Sequence, residues 1–505
     1  MKNVTNLVAM MIAFVVTFAV SFFLSPFIVR TLGVEANGLI GLSTNFLNYA
    51  SVLTIILSSM SARFVTVELR AQDERAAEEY YTASYVSNLL GAVILLPVMV
   101  FTVVNFGEWF NVPPHLVTDA QRLSALLFMN FLLTLILPRW SVATWATNNL
   151  HLDSLRTTES VVIRGGLIWG LFILFEPAVS YVGIATLAAG IFTLAFRGYY
   201  KHRLLPGLRV RAASLRWTRL WDLLQAGFWN SVGYIGNLLM TGFHLLLANL
   251  FLGATATGLL ALAMTVPSMV NQLAQNLSGV FLPSLAFAFA DGDHTLMQRR
   301  TKRAMSVTAL LTMMPLAALL AFGQLFFALW VPSADAAQLN VMSVVAAIGL
   351  VVACSAQPLQ NVFVTTNSQR AHSAASLAMG VANVALALLL LNLTNWGIYA
   401  ILVAAATTIP IRVLVITAPM AGRRVQARGS IFLPEIGRSI GYLAVLVSVG
   451  LLIRLVLPPT SWLGFILAVG AMCLVGSLIN LVVLTERSDR EFVLSLVRTH
   501  LPWKR

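Results

Sequence analysis

Four arginines, Arg30, Arg139, Arg164 and Arg412, stand inside or at the ends of long apolar runs in this 505-residue chain. An arginine near the middle of a membrane-length helix carries an insertion cost of about 2.5–3.5 kcal/mol, so it usually faces a cavity or a partner. Arg164 lies roughly 8 residues into its run, on the order of 12 Å deep at 1.5 Å per residue. No Asp or Glu lies deep in any run to neutralise these cations; Glu159 comes closest. A guanidinium binds phosphate oxygens bidentately, so holding an anionic, phosphate-bearing ligand is the chemistry these four residues could do. The other reading of the same residues is snorkelling of the charged head to the lipid headgroups.

A second set of side chains is neutral and polar. Asn230, Tyr234, Asn237, Thr241 and His244 recur at i, i+4, i+7, i+11 and i+14, which places them on one helix face. Asn271, Gln272, Gln275 and Asn276 form another group, as do Gln357, Gln360 and Asn361, and Asn45, Asn48 and Tyr49. Amides and hydroxyls bind sugar hydroxyls, and Asn45, Asn48, Asn230, Tyr234, Asn237, His244, Asn271, Asn276, Gln357 and Asn361 are the residues expected to face a glycan. Interhelical hydrogen bonding calls for the same residue types. His244 reads as a proton site or as a packed histidine.

Enzyme chemistry finds no support. No GxxxxGK[ST] or HExxH motif is present, and Cys354 and Cys473 lie in apolar runs without a CxxC pair. No cofactor or metal is expected. Only Glu35, Glu108, Asp119, Glu176 and Asp335 fall near the outer edge, and the outer connections are too short for the carboxylate-bearing loop of a membrane polymerase.

The elements that must carry these residues follow from composition. The chain is 58% hydrophobic and 10% charged, against about 25% charged in soluble domains. It reads as an all-α polytopic membrane protein. Apolar runs of crossing length fall at 6–29, 39–62, 83–104, 121–147, 157–175, 179–197, 224–251, 259–286, 305–329, 339–364, 373–393, 395–417, 440–456 and 462–484, fourteen helices in all. The first run exceeds the apolar core of a signal peptide and reads as a retained helix. Of the 32 Lys and Arg, 26 fall in alternate connections, which the positive-inside rule places in the cytoplasm together with both termini. The net charge of +13 is thus an orientation signal, and nucleic acid is not an expected partner. The longest basic connection, Arg197 to Asp222, carries Trp217 and Trp221 and is expected to lie on anionic phospholipids.

The chain also repeats. Leu32-Gly33 and Gly38-Leu39 recur as Leu252-Gly253 and Gly258-Leu259, 220 residues on; Asp73 and Asp293 share that offset, and Val112-Pro113 recurs as Val331-Pro332 after 219. Two six-helix lobes as parallel repeats, plus two C-terminal helices, are expected. The expected organisation is residues 1–200 for helices 1–6, 201–222 for the basic linker, 223–418 for helices 7–12, and 419–505 for helices 13–14 with a cytoplasmic tail.

Phe27-Ile28-Val29-Arg30-Thr31-Leu32-Gly33, the Gly38-Leu39 that follows, and Ser61-Ala62-Arg63-Phe64-Val65 resemble the opening of bacterial Wzx-type polysaccharide transporters. These are lipid-linked oligosaccharide flippases of the multidrug/oligosaccharidyl-lipid/polysaccharide (MOP) exporter superfamily. The resemblance implies two lobes around a cavity that opens alternately to either side of the bacterial inner membrane. It implies export of an undecaprenyl-diphosphate-linked glycan driven by a proton or sodium gradient or by membrane potential, with polysaccharide polymerase and assembly proteins as partners. Of the cations, only Arg30 and Arg63 are carried by the motif. A drug exporter of the same superfamily is the alternative; such exporters usually couple through intramembrane acids. A membrane-embedded glycosyltransferase or polymerase and an uncoupled lipid scramblase are the more distant readings.

Overall fold

The structure, a computed structural model, describes residues 2–137, 140–456 and 458–483. Among them every regular element is helical. The chain forms two compact units, one from Met1–Leu262 with Ser376–Ala385, the other from Ala263–Ala375 with Leu386–Arg505.

The first unit holds α1 (Lys2–Ser58), α2 (Ser61–Arg70), α3 (Glu74–Val104), α4 (Phe106–Trp109), α5 (Val117–Ile136) and α6 (Ser141–Ala146). It continues with α7 (Leu150–Leu174), α8 (Ser180–Leu204), α9 (Trp217–Thr241), α10 (His244–Leu252) and α11 (Ala254–Ala263). The second holds α12 (Thr265–Ala290), α13 (His294–Trp330), α14 (Ala336–Ala356), α15 (Leu359–Thr365) and the two ends of α16 (Gln369–Leu393), whose middle, Ser376–Ala385, is part of the first unit. There follow α17 (Ile398–Ile411), a π-helical turn at Arg412–Thr417, α18 (Ala418–Arg424), α19 (Leu433–Val456) and α20 (Trp462–Val483).

Eleven of the described helices are long and apolar enough to cross a membrane, or thirteen when each of two bent pairs is one crossing. The first of them, Ala9–Arg70, runs for 62 residues, on the order of 90 Å of helix against a hydrocarbon core of about 30 Å. Gly33 breaks it with φ 87° and ψ 170°, a conformation that only glycine adopts readily. Counted as two crossings, it brings the total to the fourteen that the apolar runs predict. Their outer faces are apolar: Ile173, Leu174, Leu393 and Leu455 are each at least 74% exposed, as expected of side chains solvated by lipid.

The duplication is visible in backbone exceptions as well as in sequence. Gly33 is matched by Gly253 (φ 92°), Gln72 (φ 61°) by Gly292 (φ 69°), and Asn148 (φ 53°) by Asn367 (φ 49°), all 219 or 220 residues apart. Asp73 caps α3 by accepting from the Ala76 amide at 2.9 Å, and Asp293 caps α13 by accepting from Leu296 at 2.7 Å. In the first unit the two repeated Gly-rich stretches lie against each other. A Cβ on Gly38 would sit 2.6 Å from the Gly258 nitrogen, and one on Gly258 would strike the Val34 carbonyl. The repeat-related Thr255 donates its hydroxyl to Glu35 at 2.8 Å across the same contact. Backbones this close require that neither glycine carry a side chain.

Packing inside each unit is built from apolar residues at helical spacing. Leu24 and Ile28 of α1 meet Leu123 and Leu127 of α5 and Ile168 and Phe172 of α7. In the second unit Leu285, Met297, Val352, Phe363, Val413 and Phe432 close a core to which α12, α13, α14, α15 and the π-helical turn all contribute.

Candidate functional site

Arg164 sits on α7, whose neighbouring Gly165 packs against Val20 of α1. Its Nε is buried without a hydrogen-bond partner, and none of the ion pairs among the described residues includes it. Two other cations of the same region are neutralised. Arg197 of α8 binds Asp153 of α7 through Nε at 2.7 Å and Nη2 at 3.1 Å. Arg156 pairs with Glu159 at 2.7 Å and lies 4.4 Å above the Phe196 ring. The carboxylate closest to Arg164 in sequence is thus already engaged, one and a half turns away along α7. Arg30 is exposed near the end of the first half of α1. Arg412 opens the π-helical turn after α17 and is half-buried. Arg139 lies outside the described residues, as do the basic residues of the C-terminal tail.

The polar stripes take up definite partners. α9 and α10 meet at a bend of 44°, which frees the carbonyl of Gly242. Asn45 Nδ2 donates to that oxygen at 3.2 Å and the Tyr49 hydroxyl at 3.0 Å, both from α1. Asn48 Nδ2 in turn donates to Asn45 Oδ1 at 3.2 Å. His244 begins α10 and is buried, 3% exposed. Asn230 Nδ2 reaches Ser59 Oγ at 3.4 Å. Tyr234 and Asn237 are half-buried on α9, and their side chains make no hydrogen bond among the described residues.

In the second unit Asn361 of α15 is buried and donates to the Ser278 carbonyl of α12 at 2.8 Å. Asn271 and Gln357 are half-buried, and Asn276 Oδ1 accepts from Gln272 at 3.4 Å. The geometry therefore gives Asn45 and Asn361 bonds to other segments of the chain, ties Asn48 to Asn45 within α1, and leaves Arg164, Tyr234 and Asn237 with unused hydrogen-bonding capacity.

Acids near helix ends also have structural partners. Asp119 caps α8, accepting from the amides of Val179 and Ser180. The basic linker is pinned to the start of α3. Glu79 pairs with Arg219 at 3.2 Å, Arg216 at 3.6 Å and Arg75 at 3.7 Å, and Glu78 with Arg211 at 3.4 Å. Arg219 also lies 4.6 Å from the centre of the Tyr80 ring, whose hydroxyl donates to Asp222 at 3.2 Å. Part of the linker charge is thus neutralised within the protein, while Trp217 and Trp221 remain 68% and 60% exposed. Among the described residues no group of three or more His, Cys, Asp or Glu could hold a metal ion.

One residue that motif reading passed over is His372, in the first turns of α16. It is 8% exposed and its Nε2 is buried without a hydrogen-bond partner. The 219-residue repeat offset, which places it on Asp153, was the available signal.

No protein-family model matches the chain. It is 30% identical over 419 residues, 82% of each chain, to the uncharacterized membrane protein EpsK of Bacillus subtilis (strain 168). Among solved structures it is similar to a MOP superfamily transporter from Pyrococcus furiosus described as having a binding pocket of reverse polarity (TM-score 0.64, 14% identity, 85% of this chain and 96% of that one). It is likewise similar to MATE in complex with MaL6 (TM-score 0.62, 15% identity, 84% and 96%). The outward-facing form of a multidrug resistance MATE family transporter gives a TM-score of 0.61 at 14% identity, over 84% and 95%. At such identities the likeness carries the fold, and the sequence relation carries the kinship: this chain belongs to the family of the EpsK membrane protein and has the MATE-like fold of the MOP superfamily transporters.

Proposed function

We propose that the chain is a flippase that moves an undecaprenyl-diphosphate-linked oligosaccharide from the cytoplasmic to the outer leaflet by alternating access. The observation that carries the reading is Arg164, a guanidinium within a spanning helix whose Nε is unpartnered while the acids along α7 are bound to other arginines. A diphosphate would supply the missing acceptor, since hydrogen bonds between guanidinium and phosphate are charge-assisted. Tyr234 and Asn237, with unused amide and hydroxyl groups, suit sugar hydroxyls. Arg30, Arg139 and Arg412 are the further cations proposed for the head group. Both termini are proposed to be cytoplasmic, the Trp217–Trp221 segment to rest on anionic phospholipids, and polysaccharide polymerase or assembly proteins to receive the product. Protons or sodium ions, or the membrane potential, would drive transport.

A drug exporter is the second reading, favoured by the fold alone, because solved neighbours include multidrug transporters. It wants an intramembrane acid to bind cations, and Glu159 is already paired with Arg156.

The test is to delete the gene and identify lipid-linked glycan accumulating on the cytoplasmic side, then to complement with Arg164→Ala and Arg139→Ala. Accumulation cleared by the wild-type chain and left uncleared by both variants, at equal expression, supports the flippase and its cations. Absence of any accumulating lipid-linked sugar, with raised sensitivity to cationic drugs, returns the drug exporter.

A further inference from the structure

The start of α3 and the start of α13 each hold a loop from later in the chain. In the first unit the segment between α8 and α9 docks on α3: Ser214 Oγ donates to Glu78 at 3.0 Å. Glu78 also binds Arg211, and Glu79 binds Arg216 and Arg219. In the second unit the loop between α18 and α19 docks on α13. Gln298 Nε2 donates to the Val425 carbonyl at 2.8 Å, and Met297, Val425, Phe432 and Ile436 share one core. Asp73 and Asp293, which cap the two helices, fix the offset at 220 residues. At that offset Glu78 is replaced by Gln298 and Glu79 by Arg299. The contact between helix and loop is kept, and both of its acids are gone.

The cations remain. Arg299 on α13, Arg423 and Arg424 at the end of α18 and Arg428 in the loop are exposed, and Lys302 is half-buried. The loop folds back on α18, where the Ala427 amide donates to the Gly422 carbonyl at 3.0 Å and a Cβ on Gly422 would sit 2.6 Å from the Arg428 carbonyl. The side chains of these five residues enter none of the ion pairs among the described residues. The described acids of the second unit are Asp291, Asp293, Asp335 and Glu435. Glu435 is bound to Arg438 at 3.0 Å, Asp293 caps α13 and Asp335 caps α14, which leaves Asp291. The sequence after Val483 adds no net counter-charge, with Arg487, Arg490, Arg498, Lys504 and Arg505 against Glu486, Asp489 and Glu491.

Four spanning helices end at this corner: α12 and α18 finish there, and α13 and α19 begin. Phe287 of α12 is 67% exposed, and Phe289 of α12 and Ile440 of α19 are exposed beside it in the sequence of the same helix ends. The cations therefore border a surface that lipid chains solvate, the level at which a bilayer presents its phosphates. We propose that this corner of the second unit is a binding surface for anionic phospholipid headgroups, whose phosphates supply the counter-charge that Glu78 and Glu79 supply in the first. The inference does not depend on what the chain transports. It is also separate from the Trp217–Trp221 segment, where Arg216 and Arg219 are already paired with Glu79.

The full-length protein is placed in nanodiscs of phosphatidylcholine alone or with increasing phosphatidylglycerol. Its arginines are then labelled with hydroxyphenylglyoxal and read by peptide mass spectrometry, and its melting temperature is measured. Phosphatidylglycerol is expected to protect Arg299, Arg423, Arg424 and Arg428 from the reagent and to raise the melting temperature, while Arg211, held by Glu78, changes little. Arg423→Gln, Arg424→Gln and Arg428→Gln, all at exposed positions, should each raise the apparent Kd for phosphatidylglycerol about fivefold. Arg299→Glu, which restores the acid of the first repeat, removes one cation and adds one anion and should raise it about 25-fold. Labelling that is the same in both lipids overturns the proposal. So does a melting response that the triple Arg423→Gln, Arg424→Gln, Arg428→Gln variant shares in full with the wild type, because the lipid would then act elsewhere. Protection by soluble polyglutamate in phosphatidylcholine, with none from phosphatidylglycerol, overturns it in favour of an acidic protein partner.

Discussion

At Arg164 the demands of stability and of use pull apart. A guanidinium without an ion-pair partner in a spanning helix weakens the fold, and a residue kept under such strain marks a working site. Arg164→Leu is therefore expected to stabilise the protein by about 1–3 kcal/mol, read as a rise in melting temperature, while abolishing transport. Arg164→Lys keeps the charge and loses the fork, so it should retain only part of the activity. If Arg164→Leu destabilises, the guanidinium is a packing element and the proposed head-group contact fails. Asn45 and Tyr49 make a different case, because both donate to the one carbonyl freed at Gly242. Asn45→Ala and Tyr49→Phe should each cost about 1 kcal/mol. Together they should cost more than the sum of the singles, since only the double variant leaves the oxygen with neither donor. A double-mutant cycle by thermal denaturation decides this.

At the scale of elements, the Gly-rich contact in the first unit sets the tightest limits. Gly258→Ala places a methyl group against the Val34 carbonyl, an overpacking worth about 1–3 kcal/mol. Gly33→Ala meets no neighbouring atom within 4 Å but must adopt φ 87°, a backbone strain of about 1–3 kcal/mol. Gly166→Ala, in open space within α7, is the control; it should be neutral or stabilising by up to about 1 kcal/mol. Melting temperatures of the three variants check the ranking. The crossings themselves are readable from the chain, because about 20 apolar residues have no other use than to span lipid. Where helices break inside those runs is not readable. The run 224–251 gives no sign that the helix stops at Thr241 and restarts at His244, because the freed carbonyl is satisfied by Asn45 and Tyr49, nearly 200 residues earlier. The run 339–364 likewise hides the interruption between Ala356 and Leu359. The polar site residues are legible by type and face, but their partners are not. Nothing in the sequence distinguishes Asn361, bonded to Ser278, from Asn237, whose side chain has no such bond.

For the whole molecule, the distribution of positive charge makes a prediction about orientation. A fluorescent protein fused after Arg505 should fold and fluoresce in the cytoplasm, and alkaline phosphatase at the same position should be inactive. The reverse result would invert the proposed topology and with it the side on which substrate enters. The linker from Arg197 to Asp222 allows the same test at a second point, since its exposed Trp217 and Trp221 are proposed to anchor it at the cytoplasmic interface. A protease site placed beside Arg209 should be cut only from the cytoplasmic side.

The contact between Gly38 and Gly258 also has a consequence for biogenesis. Its halves lie 220 residues apart, so the first cannot find the second until most of the intervening helices have left the ribosome. At about 5–20 residues per second, that interval lasts on the order of 10–40 s. Throughout it, α1 sits in the bilayer with a side-chain-free groove along its backbone that lipid fills poorly. The bare surface that later allows two backbones to touch is, during synthesis, the place where the nascent chain is most open to a wrong neighbour.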